Sequence, residues 1–211
     1  MNMEKALRLP MEKDGLVRVV IGAVLNIIPI VNFLCAGYLI DVMKSAIKEQ
    51  PEMPVWEAWG DKFIKGLVVF VISLVYMLIP IIIITIGGGI GSIFGRGFSL
   101  MFLLALLIGL ICWFMLPMAI ACYATAGNLS AAFNFGAIIT YIRAGLSAYL
   151  SAYLLSVILM VALIIISLIP VLGWIVCVFG GFYMSCVLSL LFGEAYRKAS
   201  QTIGVDKGVS I

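Results

Sequence analysis

Asn26-Ile27-Ile28-Pro29-Ile30-Val31-Asn32 lies in the middle of the first apolar block of the chain, which runs from about residue 19 to 40. Proline lacks an amide hydrogen and its ring clashes with the carbonyl four residues earlier, so a straight helix does not pass through Pro29 undisturbed. The heptapeptide poses a choice between one broken span and a turn that sends the chain back. Basic residues decide it, because Lys and Arg collect in cytoplasmic loops. Lys5, Arg8, Lys13 and Arg18 precede the block, and Lys44, Lys48, Lys62 and Lys65 follow it. Arg96 and Arg143 sit in later loops, and Arg197, Lys198 and Lys207 close the chain. With a single first span the thirteen basic residues divide eight against five; with a turn at Pro29, twelve fall on one side and one on the other. The turn is the better reading, and it leaves both termini cytoplasmic.

Four further apolar blocks follow at about 66 to 88, 100 to 126, 147 to 169 and 171 to 192. Each is near the length of about 20 residues that an α-helix needs to cross the hydrocarbon core. Hydrophobic residues make up 64% of the 211 and charged residues 11%, with mean hydropathy +1.24. A soluble domain carries roughly 45–50% apolar and about 25% charged residues, so the excess implies a bilayer as solvent. Barrel strands would alternate apolar with polar residues, and these blocks do not, which leaves helices. The expected fold is an all-α integral membrane protein, one domain over 1–211, lodged in the cell membrane. It has three helical hairpins, about 14–49, 64–126 and 144–199, and a cytoplasmic tail, 200–211. The leading arm of the first hairpin reaches only about 20 Å, so this hairpin is short or re-entrant among the six membrane helices. A weak internal repeat, Ile28-Pro29-Ile30-Val31-Asn32 against Ile169-Pro170-Val171-Leu172-Gly173, places the turns of the first and last hairpins in parallel, and Gly37-Tyr38 echoes Gly181-Phe182.

Trp56, Trp59 and Phe63 recur at helical spacing, with Glu57, Asp61, Lys62 and Lys65 on the other side. This predicts an amphipathic helix lying in the interface, with Pro54 in its first turn and an Asp61–Lys65 pair on its exposed side. A second, less amphipathic segment runs from Ser130, read as its N-cap, through Phe133, Phe135, Ile138 and Ile142 to Arg143.

Gly22 to Asn32, Gly37-Tyr38, the spacing Pro54-x-Trp56-x-x-Trp59-x-x-x-Phe63-x-x-Gly66, and Ala132-Phe133-Asn134-Phe135 together carry a family likeness. The chain resembles the archaeal and bacterial membrane proteins grouped as domain of unknown function 4013. That resemblance covers nearly the whole chain and implies a multi-pass membrane protein without an assigned activity.

Few residues carry chemistry. The chain has no histidine, and no Asp or Glu lies deep in an apolar block, so neither a hydrolase constellation nor a two-aspartate membrane protease is present. Ser147, Ser151 and Ser156 have no base nearby in sequence. Gly87-Gly88-Gly89-Ile90-Gly91-Ser92-Ile93-Phe94-Gly95 lacks the Lys-Ser/Thr ending of a phosphate loop and reads as a connection or a close-packing helix end through Gly87, Gly91 and Gly95. Cys112, Met115, Met118 and Cys122 share one face of the third block, and soft sulfur suits Cu(I); ordinary core filling accounts for the same residues, and Pro117 interrupts the set. Cys35, Cys112, Cys122, Cys177 and Cys186 read as reduced, and Asn32-Phe33-Leu34 before Cys35 lacks the small residues of a processing site. Asn26 and Asn32, flanking Pro29, either cap the broken helix ends or line a small polar site, as discontinuous helices do in carriers. Glu194 beside Arg197 and Lys198, and Asp41 near Lys44, read as surface ion pairs. Tyr149, Tyr153 and Trp174 read as packing or interface residues.

The expected function is a non-enzymatic membrane component without cofactor. Its partners would be the bilayer and another membrane protein or a second copy, reached through small-residue faces such as Gly145, Ala148 and Ala152; nothing recommends nucleic acid. The alternative is a carrier or channel for a neutral or lipid-like small solute.

Overall fold

The computed structural model describes residues 3–94, 97–169 and 172–206, and within them the side chains other than those of residues 3, 13, 87–99, 172, 205 and 206. The chain is all-helical, with no strand among the described residues: α1 (Met3–Arg8), a 3-10 turn (Leu9–Met11), α2 (Lys13–Ile27), α3 (Asn32–Ile47), α4 (Trp59–Phe94), α5 (Gly97–Ala126), a second 3-10 turn (Leu129–Phe133), α6 (Phe135–Ala144), α7 (Leu146–Ser167) and α8 (Leu172–Asp206). Among the described residues four stretches are long and apolar enough to cross a membrane: Trp59–Ile86, Leu100–Ala126, Leu146–Ser167 and Gly173–Gly204. The 15 residues of α2 and 16 of α3 reach only about 22 and 24 Å at 1.5 Å per residue, short of the roughly 30 Å core.

α8 is the central post, because 39% of its most apolar window is buried within the chain, against 6% for α7. Glycines set how closely its neighbours approach. The Phe182 ring lies where a Cβ on Gly22 of α2 would stand, Gly193 leaves room for the Met43 carbonyl of α3, and Gly145 before α7 meets Ala195 and Ala199. The tightest crossing joins α3 to α4. A Cβ on Gly37 would overlap the Lys62 carbonyl, and one on Gly66 would overlap the Phe33 carbonyl. Backbone therefore lies against backbone, the arrangement small residues permit where no hydrophobic force drives helices together.

Two prolines lie inside the long helices, Pro80 in α4 and Pro117 in α5. Pro117 offers no N–H to the Trp113 carbonyl one turn earlier. α7 supplies the missing donor: the Tyr153 hydroxyl donates to Trp113 O at 2.8 Å and lies 3.0 Å from Phe114 O, while Tyr149 donates to Phe114 O at 2.5 Å. Both rings also pack on Phe114, with centroids 5.1 and 5.0 Å away. Tyr149 and Tyr153 are thus the partners of a proline-broken helix.

Several sequence expectations change here. Trp56 is not on a helix: α4 starts only at Trp59, and residues 50–58 are irregular. Trp56 instead stacks on Tyr38 at 4.2 Å and donates its indole N–H to Arg18 O at 3.0 Å. Pro51 and Pro54 break up the run, and the buried stack outweighs the amphipathic spacing. The second segment begins with Asn128, not Ser130: the Asn128 side chain accepts from Ala131 N, and the Asn134 side chain caps α6 by accepting from Ala137 N. Asp41 pairs with Lys62 and Lys65 of α4 at 3.2 and 2.7 Å, not with Lys44 of its own helix. Gly145 and Ala152 are turned inward as buried residues, and Ala148 packs against the core, so this small-residue face belongs to the bundle itself. Residues 87–94 continue α4 as helix; the packing of the Gly87, Gly91 and Gly95 face, and the Pro170-Val171 turn, lie outside the described residues.

Candidate functional site

The turn between α2 and α3 follows from its proline. Ile28 is extended, with φ −87° and ψ 117°, as the residue before a proline is steered to be. Ile30 takes φ 73°, a left-handed conformation costly for a β-branched residue. α3 then begins at Asn32, whose N–H donates to Ile28 O at 3.1 Å. Across the turn the Cys35 thiol donates to Gly22 O at 3.2 Å. Neither Asn26 nor Asn32 caps a helix: the start of α3 has no side-chain cap, and α2 is closed by the Ile28 N–H on Leu25 O.

The two amides line a cavity of about 290 Å³ between α2, α3, α4 and α8, together with Ser73 and Ser185. Its remaining walls include Phe33, Ala36, Leu39 and Val69. Asn26 and Asn32 are exposed and form its open side. The Ser185 hydroxyl donates to Gly181 O on its own helix at 2.9 Å, whereas among the described residues no hydrogen bond takes up the polar ends of Asn26, Asn32 and Ser73. Among the described residues no charged side chain lines the cavity. Such a site offers donors and acceptors to an uncharged group and no charge to neutralise an ionic one. Ser73 and Ser185 carry no sequence signal, since serines in apolar helices ordinarily bond their own backbone.

A second polar assembly lies over the start of α2. Lys62 is 4% exposed and holds both Asp41 and the Glu57 carbonyl, the latter at 2.8 Å. Lys65 bridges Asp41 and Asp61, at 2.7 and 2.5 Å, and the Arg18 guanidinium donates to Met53 O. With the Trp56 stack, these contacts clasp residues 50–58 onto α2 and α3. Trp59 is exposed beside Trp56, with ring centroids 5.7 Å apart, and Phe63 meets Phe33 edge-on at 5.8 Å. At the far end of α8, Arg197 bridges Glu194 at 2.8 Å and Glu49 after α3. These ion pairs join elements of the fold. Cys112, Met118 and Cys122 are buried in the apolar core and Met115 packs at its edge; among the described residues no group of three or more His, Cys, Asp or Glu gathers to hold a metal.

The architecture defines a helical protein of membrane type, four long apolar helices with a short, turn-linked helix pair lodged against α4, α5 and α8. Residues 21–172 match the model of the family described as a protein of unknown function (DUF4013), and the chain belongs to that family. No curated protein and no solved structure matches the chain.

Proposed function

We infer that the protein is a non-enzymatic component of the cell membrane, structural or partner-binding, built as three helical hairpins with both termini on the cytoplasmic face. On this reading α2 and α3 form a short hairpin that enters from the cytoplasmic side, and the basic residues at both its ends stay there. The observation that carries the reading is the division of labour among side chains. The ion pairs around Asp41, Lys62, Glu194 and Arg197 hold the bundle to itself, while the outward faces are apolar: α7 alone exposes Leu150, Leu154, Val157, Ile158, Val161 and Ile165. Such faces suit lipid or another membrane protein. Purification in a mild detergent, with mass measured by light scattering, tests it; a lone monomer without a retained partner would oppose the partner-binding form. Labelling of single cysteines placed at positions 50, 130 and 92 tests the topology, with the first two reached from the cytoplasm and the third from outside.

A carrier for a neutral or lipid-like small solute is the second reading, favoured by the uncharged polar cavity beside the broken helix pair. Flux through proteoliposomes tests it, and a double Asn26→Leu, Asn32→Leu variant that folds and transports as well as the parent would end it.

A further inference from the structure

The polar cavity does not stand alone. Ala36, Leu39 and Val69 line both it and a second cavity of about 210 Å³, whose other walls include Met43, Leu116, Pro117 and Phe192. The second cavity is almost wholly apolar, with Ser189 as its one polar neighbour. Leu116, Pro117 and Phe192 in turn line a third space of about 240 Å³ that runs to Met160 on α7. One end of this series carries two amides and two hydroxyls; the rest is mainly hydrocarbon, with the Ser189, Ser156 and Tyr153 hydroxyls and the Trp113 indole at its edges. From Asn32 to Met43 the series follows about 16 Å of α3.

We propose that these adjoining cavities form a binding site for an uncharged amphiphile with a single hydrocarbon chain, of the monoacylglycerol class, its hydroxyl- and ester-bearing head among Asn26, Asn32 and Ser73 and its chain passing Ala36 toward Pro117. Three observations converge on that chemistry. In a hydrocarbon medium an unpaired amide or hydroxyl costs several kcal/mol, and among the described residues the side chains of Asn26, Asn32 and Ser73 find no hydrogen-bond partner to offset it. The absence of any charged lining residue disfavours a phosphate or carboxylate head, whose ionic charge would be stranded. Asn26 and Asn32, at the mouth of the head site, are exposed; with the helix pair embedded as inferred above, entry is sideways from the bilayer, the route a lipid takes. The assignment rests on α4 and α8 lying in the membrane and goes beyond the structural role inferred above, since a resident amphiphile requires neither transport nor association.

The test uses the full chain in detergent and in nanodiscs, with monodecanoylglycerol carrying a photoreactive diazirine at the end of its acyl chain. Expected are saturable labelling of peptides from α3, α5 or α8 and displacement by unlabelled monodecanoylglycerol, but not by glycerol or by its phosphorylated, anionic analogue. Asn26→Leu and Asn32→Leu should each weaken binding about tenfold, the effect of losing one good hydrogen bond. Ala36→Phe, which fills the passage and leaves the head residues intact, should weaken it at least as much. Ser73→Ala, the mildest change, keeps the test open should the others fail to fold. Labelling that does not saturate, equal binding by the folded Asn26, Ala36 and Ser73 variants, or equal displacement by glycerol or the anionic lipid would overturn the proposal. Oligomeric state measured on the same samples separates this outcome from the fate of the structural role: lost binding with unchanged association concerns the site alone.

Discussion

Removing the Tyr153 hydroxyl should cost far more stability while Pro117 is present than after it is replaced. In the parent, Trp113 O has lost its helical donor to the proline, and the Tyr153 hydroxyl reaches it at 2.8 Å. Phe114 O, the other carbonyl Tyr153 approaches, is also served by Tyr149 at 2.5 Å, so Tyr153→Phe leaves one carbonyl bare rather than two. Interhelical hydrogen bonds in membranes average about 0.6 kcal/mol and reach about 1.7; a carbonyl with no alternative donor belongs near the upper value, about 1.5 kcal/mol. Pro117→Ala restores an N–H within α5, and Tyr153→Phe made in that background should then cost about 0.5 kcal/mol or less. The coupling between the two changes is therefore about 1 kcal/mol, well above the additivity limit for independent sites of about 0.3–0.5. Reversible unfolding of the four proteins in bicelles measures it. Equal costs of Tyr153→Phe in both backgrounds would show that the hydroxyl does not stand in for the missing amide, and the account of the α5–α7 contact would fail.

Other substitutions probe the remaining joints. Gly37→Ala should abolish folding or cost more than about 4 kcal/mol, the range of exceptional single changes, because its methyl group would meet the Lys62 carbonyl. Gly60→Ala, near the start of α4 with nothing within 4 Å, should stabilise by up to about 1 kcal/mol; fluorescence-detected gel filtration after a heating series ranks the two. Ile30→Gly should raise stability by about 1 kcal/mol by relieving the left-handed backbone at φ 73°, a strain of roughly 1–2 kcal/mol for a side-chain-bearing residue; a lower melting temperature would place the value of Ile30 in its side chain. Asp41→Asn removes the counter-charge of Lys62, which is 4% exposed, and leaves it the Glu57 carbonyl. It should cost about 3 kcal/mol, the low end for breaking a buried pair, and the loss should persist in high salt, where a surface pair would already be screened.

The helical class and the approximate limits of the elements were readable because bilayer-length apolar blocks permit little else, and Pro29 between two amides marks the end of α2 at Ile27. Local pattern misled at Trp56. Its spacing to Trp59 and Phe63 fits an amphipathic helix, yet its ring is held by Tyr38, from a helix 18 positions earlier in sequence, and its N–H by Arg18. No local period encodes such contacts. Asp41 shows the same limit: Lys44 is nearer along the chain, but the crossing of α3 and α4 brings Lys62 and Lys65 to its carboxylate. Tyr149 and Tyr153 were visible as aromatics, and their role depends on facing the one turn of α5 that a proline leaves short of a donor.

The same crossing explains why half of the candidate site was legible and half was not. Asn26 and Asn32 stand out as amides in an apolar run, whereas Ser73 becomes a site residue only through where α4 lies. Gly66 and Ser73 are seven positions apart, two turns of one helix, so Ser73 falls on the face of α4 that Gly66 presses against α3. Ala36, next to Gly37, and Val69, one turn after Gly66, line the passage between the polar and apolar cavities. Crossing and cavity are therefore one construction, and their perturbations should separate in a specific way. Gly66→Ala forces α4 away from the Phe33 carbonyl and should lower both stability and the proposed amphiphile binding. Ser73→Ala leaves the crossing intact and should lower binding by about tenfold with a change in stability below about 0.5 kcal/mol. If Ser73→Ala destabilises the protein as strongly as Gly66→Ala, the serine holds the bundle together, and the cavity owes its polarity to packing and not to a ligand.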